Sequence, residues 1–151
     1  MIQRIQNIWL FLAALTLALM IFFPLFSKES AGAEATFYTD GLHTTSGTGG
    51  TVSNLITLFG TNILLALICF FNIFNFKRRS LQKRISIFLI ILIIGFAVWC
   101  STYTKDLPGG VDGASFGIGA YMPAVAILFI ILAIFGINKD ERLIRSAERL
   151  R

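Results

Sequence analysis

Residues Lys77–Arg84 read KRRSLQKR, five basic residues and no acidic one, set between two unbroken apolar runs. The run before it covers residues 55–76 and the run after it 85–102. Each is long enough to cross a hydrocarbon core of ~30 Å at ~1.5 Å per helical residue. Lys and Arg are retained on the cytoplasmic side of a bilayer, so a short basic loop between two spans marks that side. The loop is therefore expected inside, with both flanking helices running outward from it.

Working outward, apolar runs at 8–26 and 117–137 complete four expected spans and return both termini to the cytoplasm. The expected fold is an all-α integral membrane protein: one four-helix transmembrane domain over 1–151, with room for a small external hairpin. Composition agrees. The 151 residues are 56% hydrophobic and 14% charged, against about 25% charged in an ordinary soluble domain. A net charge of +5 alone would admit a nucleic-acid partner. Its distribution does not, because eleven of the thirteen Lys and Arg fall on the cytoplasmic side of this topology. Only Lys28 and Lys105 fall outside. That asymmetry is a topology signal, and the expected partner is the lipid bilayer rather than nucleic acid.

The first run ends in FPLF at 23–26, and Ala31-Gly32-Ala33 a little beyond it has the form of a signal-peptidase site. Its nineteen apolar residues exceed the ~7–15 of a signal-peptide core, so an uncleaved span is expected. Pro24 would then sit in its last turn, where a lost hydrogen bond costs least. Trp9, Trp99 and Tyr103 fall at interfacial depths. In the external stretch 27–53, Asp40-Gly41 lies between β-prone residues and predicts a tight hairpin. Residues 46–51, SGTGGT, read as flexible chain. His43, the only histidine, has no second ligand near it in sequence and reads as a surface residue.

Three sets of residues carry the remaining information. Asn54, Thr57, Thr61, Asn72 and Asn75 share one expected face of the second span, with Leu65 and Ile68 in its middle. Polar groups at membrane depth need partners, so this face either hydrogen-bonds neighbouring helices or lines a solute path. Gly113, Gly117, Gly119, Ala120 and Ala124 cluster at the outer end of the fourth span, giving small-xxx-small spacings that permit close helix approach. In the tail, 138–151, Leu143, Ile144, Ala147 and Leu150 form an apolar stripe beside a basic face of Arg142, Arg145 and Arg149. Such a helix suits the inner leaflet or a partner protein.

What is missing narrows the function. The expected spans hold no Asp, Glu, Lys, Arg or His, which argues against ion-coupled carriers and proton relays. Cys69 and Cys100 are the whole thiol inventory. They fall in opposite leaflets, roughly a dozen Å apart in depth, whereas a disulfide needs Cα atoms within about 7 Å. Two structural thiols fit better than a thiol oxidoreductase. No catalytic, cofactor-binding or metal-ligating constellation is evident.

The two ends, MIQRIQ at 1–6 and KDERLIRSAERLR at 139–151, resemble a Bacteroidetes family of small four-pass inner-membrane proteins described as a domain of unknown function. The resemblance spans essentially the whole chain in length and span count. It implies a bacterial inner-membrane location and four helices. That family lacks an assigned activity and so implies no site residues. The expected function is a non-enzymatic accessory or scaffold subunit of a larger membrane complex, needing no cofactor. The alternative is a small-solute transporter or channel subunit using the polar face of the second span.

Overall fold

The computed structural model describes residues 3–30, 33–46, 49–103 and 115–148. Four helices form the body: α1 (Gln3–Leu19), α2 (Ile56–Asn72), α3 (Arg79–Thr102) and α4 (Ile118–Glu148). Each buries a stripe whose steps alternate between four and three residues. In α1 it is Gln6, Leu10, Ala13 and Leu17, continued by Met20 just past the helix end; in α2, Leu58, Asn62, Leu65, Cys69 and Asn72. In α3 it runs Gln82, Ser86, Leu89, Ile93, Phe96, Cys100, and in α4 Ala126, Ile130, Ala133, Ile137, Asp140. A 3.5-residue repeat keeps one seam facing its neighbours, the pattern of knobs-into-holes packing. The helices close a ring, α1 against α2 and α4, and α3 against the same two. Neighbours run antiparallel, since Asn62 reaches Leu17 while Cys69 reaches Leu10.

Three of the four helical segments, Ile56–Phe76, Arg79–Thr102 and Ile118–Asp140, are long and apolar enough to cross a membrane. The apolar part of α1, Ile5–Leu19, is shorter. The expected first span of 8–26 is thus divided. After Leu19 the hydrogen bonds tighten, with Ile21 N–H donating to Ala18 O and Phe22 N–H to Leu19 O. Pro24 has no N–H and disfavours helix at the residue before it. Leu25 N–H then donates to Phe37 O at 2.8 Å, and the chain leaves the helix for a sheet.

That sheet corrects the all-α expectation. Strands β1 (Phe26–Ser30), β2 (Ala33–Tyr38), β3 (Gly41–Ser46), β4 (Gly49–Asn54) and β5 (Ser115–Phe116) form one sheet, in order β4-β3-β2-β1-β5. All its pairings are antiparallel. The expected hairpin exists, but its tip is Thr39-Asp40 and Gly41 already pairs with Tyr38. Of the stretch 46–51, expected to be flexible, Ser46 ends β3 and pairs with Gly49, while 49–51 lie in β4. Alternation decides which face is covered: Phe26, Ala35 and Phe37 point inward and are buried. Phe37 stacks on Tyr103 just beyond α3, at 5.9 Å between ring centroids, so the sheet caps the bundle. The opposite, terminal end carries the start of α1, the last turns of α4 and the α2–α3 connection.

That connection is shorter than expected. A 3-10 turn, Ile73–Lys77, follows α2 and is broken at Asn75, where ψ is 15°. Helix α3 begins at Arg79, so most of KRRSLQKR is its first turns. The helix starts early because Gln82 and Ser86, polar by type, are core positions, each 0% exposed.

Candidate functional site

Polar side chains inside the bundle first serve the ends of the helices. The last carbonyls of a helix lack intrahelical donors. With Ile21 N–H turned to Ala18, the Leu17 carbonyl is left over, and Asn62 Nδ2 donates to it at 3.2 Å. Asn62 is 0% exposed, so this cap is made in the middle of the core. One heptad further along α2, Cys69 Sγ donates to Leu10 O at 3.5 Å. Both cysteines are free and buried.

At the terminal end the pairing becomes reciprocal. Asn72 Nδ2 donates to Gln82 O at 3.3 Å and to Ser86 Oγ at 3.0 Å. Gln82 Nε2 donates back to Asn72 O at 3.3 Å, and Ser86 Oγ donates to Gln82 O at 2.9 Å. This clasp ties the end of α2 to the start of α3. Buried amides need such partners, because an unpaired one costs its desolvation. Gln6 and Asp140 complete the same polar end from α1 and α4, at 1% and 4% exposure.

The residues singled out from sequence are distributed as follows. Asn72 is buried in the clasp, and Asn75 is half-buried in the 3-10 turn. Thr57 is exposed, and Thr61 is half-buried with its Oγ1 donating to Thr57 O at 2.7 Å. Asn54 pairs with Gly41 as the last residue of β4. Asn62, Gln82, Ser86, Gln6 and Asp140 were not singled out. Asn62, Ser86, Gln6 and Asp140 each sit one step of three or four from an apolar core position, and Gln82 one step from Ser86, which was the signal available.

On α4, the small residues are used within the chain. Gly117 N–H donates to Leu25 O at 2.8 Å and Gly119 N–H to Pro24 O at 2.9 Å. A Cβ on Gly117 would strike the Pro24 carbonyl oxygen, and one on Gly119 would lie 2.6 Å from Phe23 O. Ala120 is half-buried and Ala124 exposed; Gly113 lies outside the described residues. The tail continues α4 as helix to Glu148, with Arg142 exposed. The side chains of Leu143, Ile144, Arg145 and Ala147 lie outside the description, as do Arg149 and Leu150.

Chemically reactive groupings are few. His43 Nε2 lies 3.2 Å from Asp40 Oδ1 at the sheet surface. No group of three or more His, Cys, Asp or Glu that could hold a metal occurs among the described residues. An apolar groove of about 320 Å³ runs between α1 and α2, lined by Phe11, Ala14, Leu15, Ala18, Ile63, Ala66 and their neighbours. It opens outward and suits aliphatic chains.

These features define a mostly helical protein, three of whose helices are long and apolar enough to cross a membrane, capped at one end by an antiparallel sheet. The chain belongs to the family described as Domain of unknown function (DUF4293), whose model matches residues 2–150. No curated protein matches it.

Proposed function

We propose that the chain is a four-pass protein of a bacterial inner membrane, with both termini cytoplasmic, serving as a non-enzymatic accessory or scaffold subunit of a larger complex. A fourth span is supported by the outward face of α1, where Ile5, Ile8, Phe11, Leu15, Leu19 and Phe22 are all exposed. Such a face suits acyl chains, not water. Orientation is supported by the start of α3, where Arg78, Arg79, Lys83 and Arg84 crowd a helix N-terminus. Cations are unfavourable there because the helix dipole is positive at that end. Their placement makes sense as an orientation signal.

The observation that carries the scaffold reading over a solute path is the closed middle of the bundle. Leu17, Leu65, Leu89, Ile93 and Ile130 are 0–3% exposed and separate the polar terminal end from the sheet. Asn62, the one buried amide among them, donates its Nδ2 to Leu17 O, so that only its Oδ1 is buried without a partner at this level. A polar route would need a succession of such groups along this depth, where the neighbouring core positions are apolar. Helix α4 runs eight residues past Asp140, offering a lever for a cytoplasmic partner. Native purification tests the reading: co-migration with a larger assembly supports it. A chain that migrates alone and passes small solutes after reconstitution refutes it.

A further inference from the structure

At the terminal end, the four core stripes finish on polar residues instead of apolar ones. Gln6 is 1% exposed, Gln82 0% and Asp140 4%. Both Asp140 carboxylate oxygens, both amide atoms of Gln6 and Gln82 Oε1 are buried without a hydrogen-bond partner in the protein. These groups come from α1, α3 and α4, so they are not a local accident of one helix.

Their placement brings them to one depth. A Cβ on Gly136 would lie 3.3 Å from Gln6 Cβ, which fixes α4 against α1 at this level. Asp140 is one turn further on the same side of α4. Side chains on a helix tilt toward its N-terminus. Helix α4 comes from the sheet end, so Asp140 leans back into the bundle. Helices α1 and α3 begin at the terminal end, so Gln6 and Gln82 lean out toward Asp140. The clasp also sets the Gln82 amide: its nitrogen is held by Asn72 O, which leaves the oxygen to face elsewhere. Asn72 Oδ1 is likewise buried and unpartnered.

The donor set is therefore one carboxylate and neutral amide oxygens. An ionised carboxylate taken out of water requires a compensating charge. Oxygen ligands select hard cations, while zinc and its neighbours favour His and Cys. A single carboxylate balances a single positive charge, and a divalent ion would leave one charge uncompensated. We propose that Asp140, Gln6 and Gln82 bind an alkali cation, Na⁺ or K⁺, with Asn72 positioning Gln82, so that the ion joins α1, α3 and α4. The inference goes beyond the scaffold reading and does not depend on it. Among the described residues, Arg79, whose Nη1 is also buried and unpartnered, is a rival counter-charge.

The test is thermal unfolding of the full chain in neutral detergent, titrated with NaCl or KCl against choline chloride at constant ionic strength. Above the dissociation constant, each tenfold rise in the bound ion should multiply the folded-to-unfolded ratio by about ten. D140N should lose this dependence, while N62L, which alters the core elsewhere, should keep it. Identical stability in sodium, potassium and choline overturns the proposal. So does stability that follows pH but not the cation, which would mean that a proton neutralises Asp140. Wild type indifferent to the ion, together with R79Q unfolded under every condition, would assign the counter-charge to Arg79 and also overturn it. Should D140N fail to accumulate, equilibrium binding of ²²Na⁺ and ⁸⁶Rb⁺ to wild type decides: saturable binding of either supports the site, and binding of neither overturns it.

Discussion

Two kinds of glycine in this chain should respond oppositely to the same methyl group. Gly119 packs where α4 crosses the exit from α1. An added Cβ would stand 2.6 Å from Phe23 O, 2.8 Å from Pro24 O and 3.0 Å from Pro24 C, whereas ordinary contact begins at 3.4 Å. All three are backbone atoms, so relief requires moving the chain. Pro24 O cannot simply retreat, because it accepts the Gly119 N–H at 2.9 Å. Overpacking costs about 1–3 kcal/mol, and a weakened hydrogen bond adds about 0.5–1.5 kcal/mol. Gly119→Ala should therefore lose about 2–3 kcal/mol, after a small helix-propensity gain near the start of α4. Gly95 lies in the interior of α3, and a Cβ there meets nothing within 4 Å. Gly95→Ala should gain about 0.5–1 kcal/mol from reduced freedom of the unfolded chain and better helix propensity. Reversible unfolding in mixed micelles, read by tryptophan fluorescence, measures both. Equal shifts of the same sign would refute the close α1–α4 approach.

Further outcomes follow from other parts of the molecule. A cysteine at Ser46 should react with an impermeant maleimide in intact spheroplasts and one at Ser80 should not; the reverse pattern would invert the orientation. Asn62→Leu should destabilise by about 0.6 kcal/mol, and by no more than about 1.7, the range for interhelical hydrogen bonds in membranes. Loss of solute flux at unchanged stability would instead favour a path. Leu143→Ser with Leu150→Ser keeps every tail charge and removes its apolar stripe. Insertion should survive while recovery of a partner falls, and full recovery in pull-downs would leave the tail as an orientation signal.

The helices were legible because long apolar runs have few alternatives. Their limits were less so. Gln82, within KRRSLQKR, looked like loop by residue type, and its clasp with Asn72 explains why α3 absorbs it. Thr57 and Thr61 suggested a polar face one residue out of phase with the buried Leu58 and Asn62. The two readings coincide again at Leu65 and Asn72, so spacing alone does not separate them. The sheet left a faint trace, since its strands are rich in Gly, Ser, Thr and Ala. Its closing pair joins Ser27 to Ser115, and the inward-facing side chains that hold it, Phe26, Ala35 and Phe37, are few. Asp140 escaped notice because the fourth span was taken to end at 137, before the last turn of the core.

The sheet order has a consequence for how the protein is made. Strands β1 to β4 leave the ribosome together, but β5, which covers the free side of β1, comes after α2 and α3. Roughly sixty residues separate β4 from β5, which at ~5–20 residues per second takes about 3–12 s of synthesis. For that interval one side of β1 presents unsatisfied backbone groups, an invitation to pair with another chain. Biogenesis therefore contains a window in which a chaperone, or a neighbouring nascent copy, competes with the protein's own last strand.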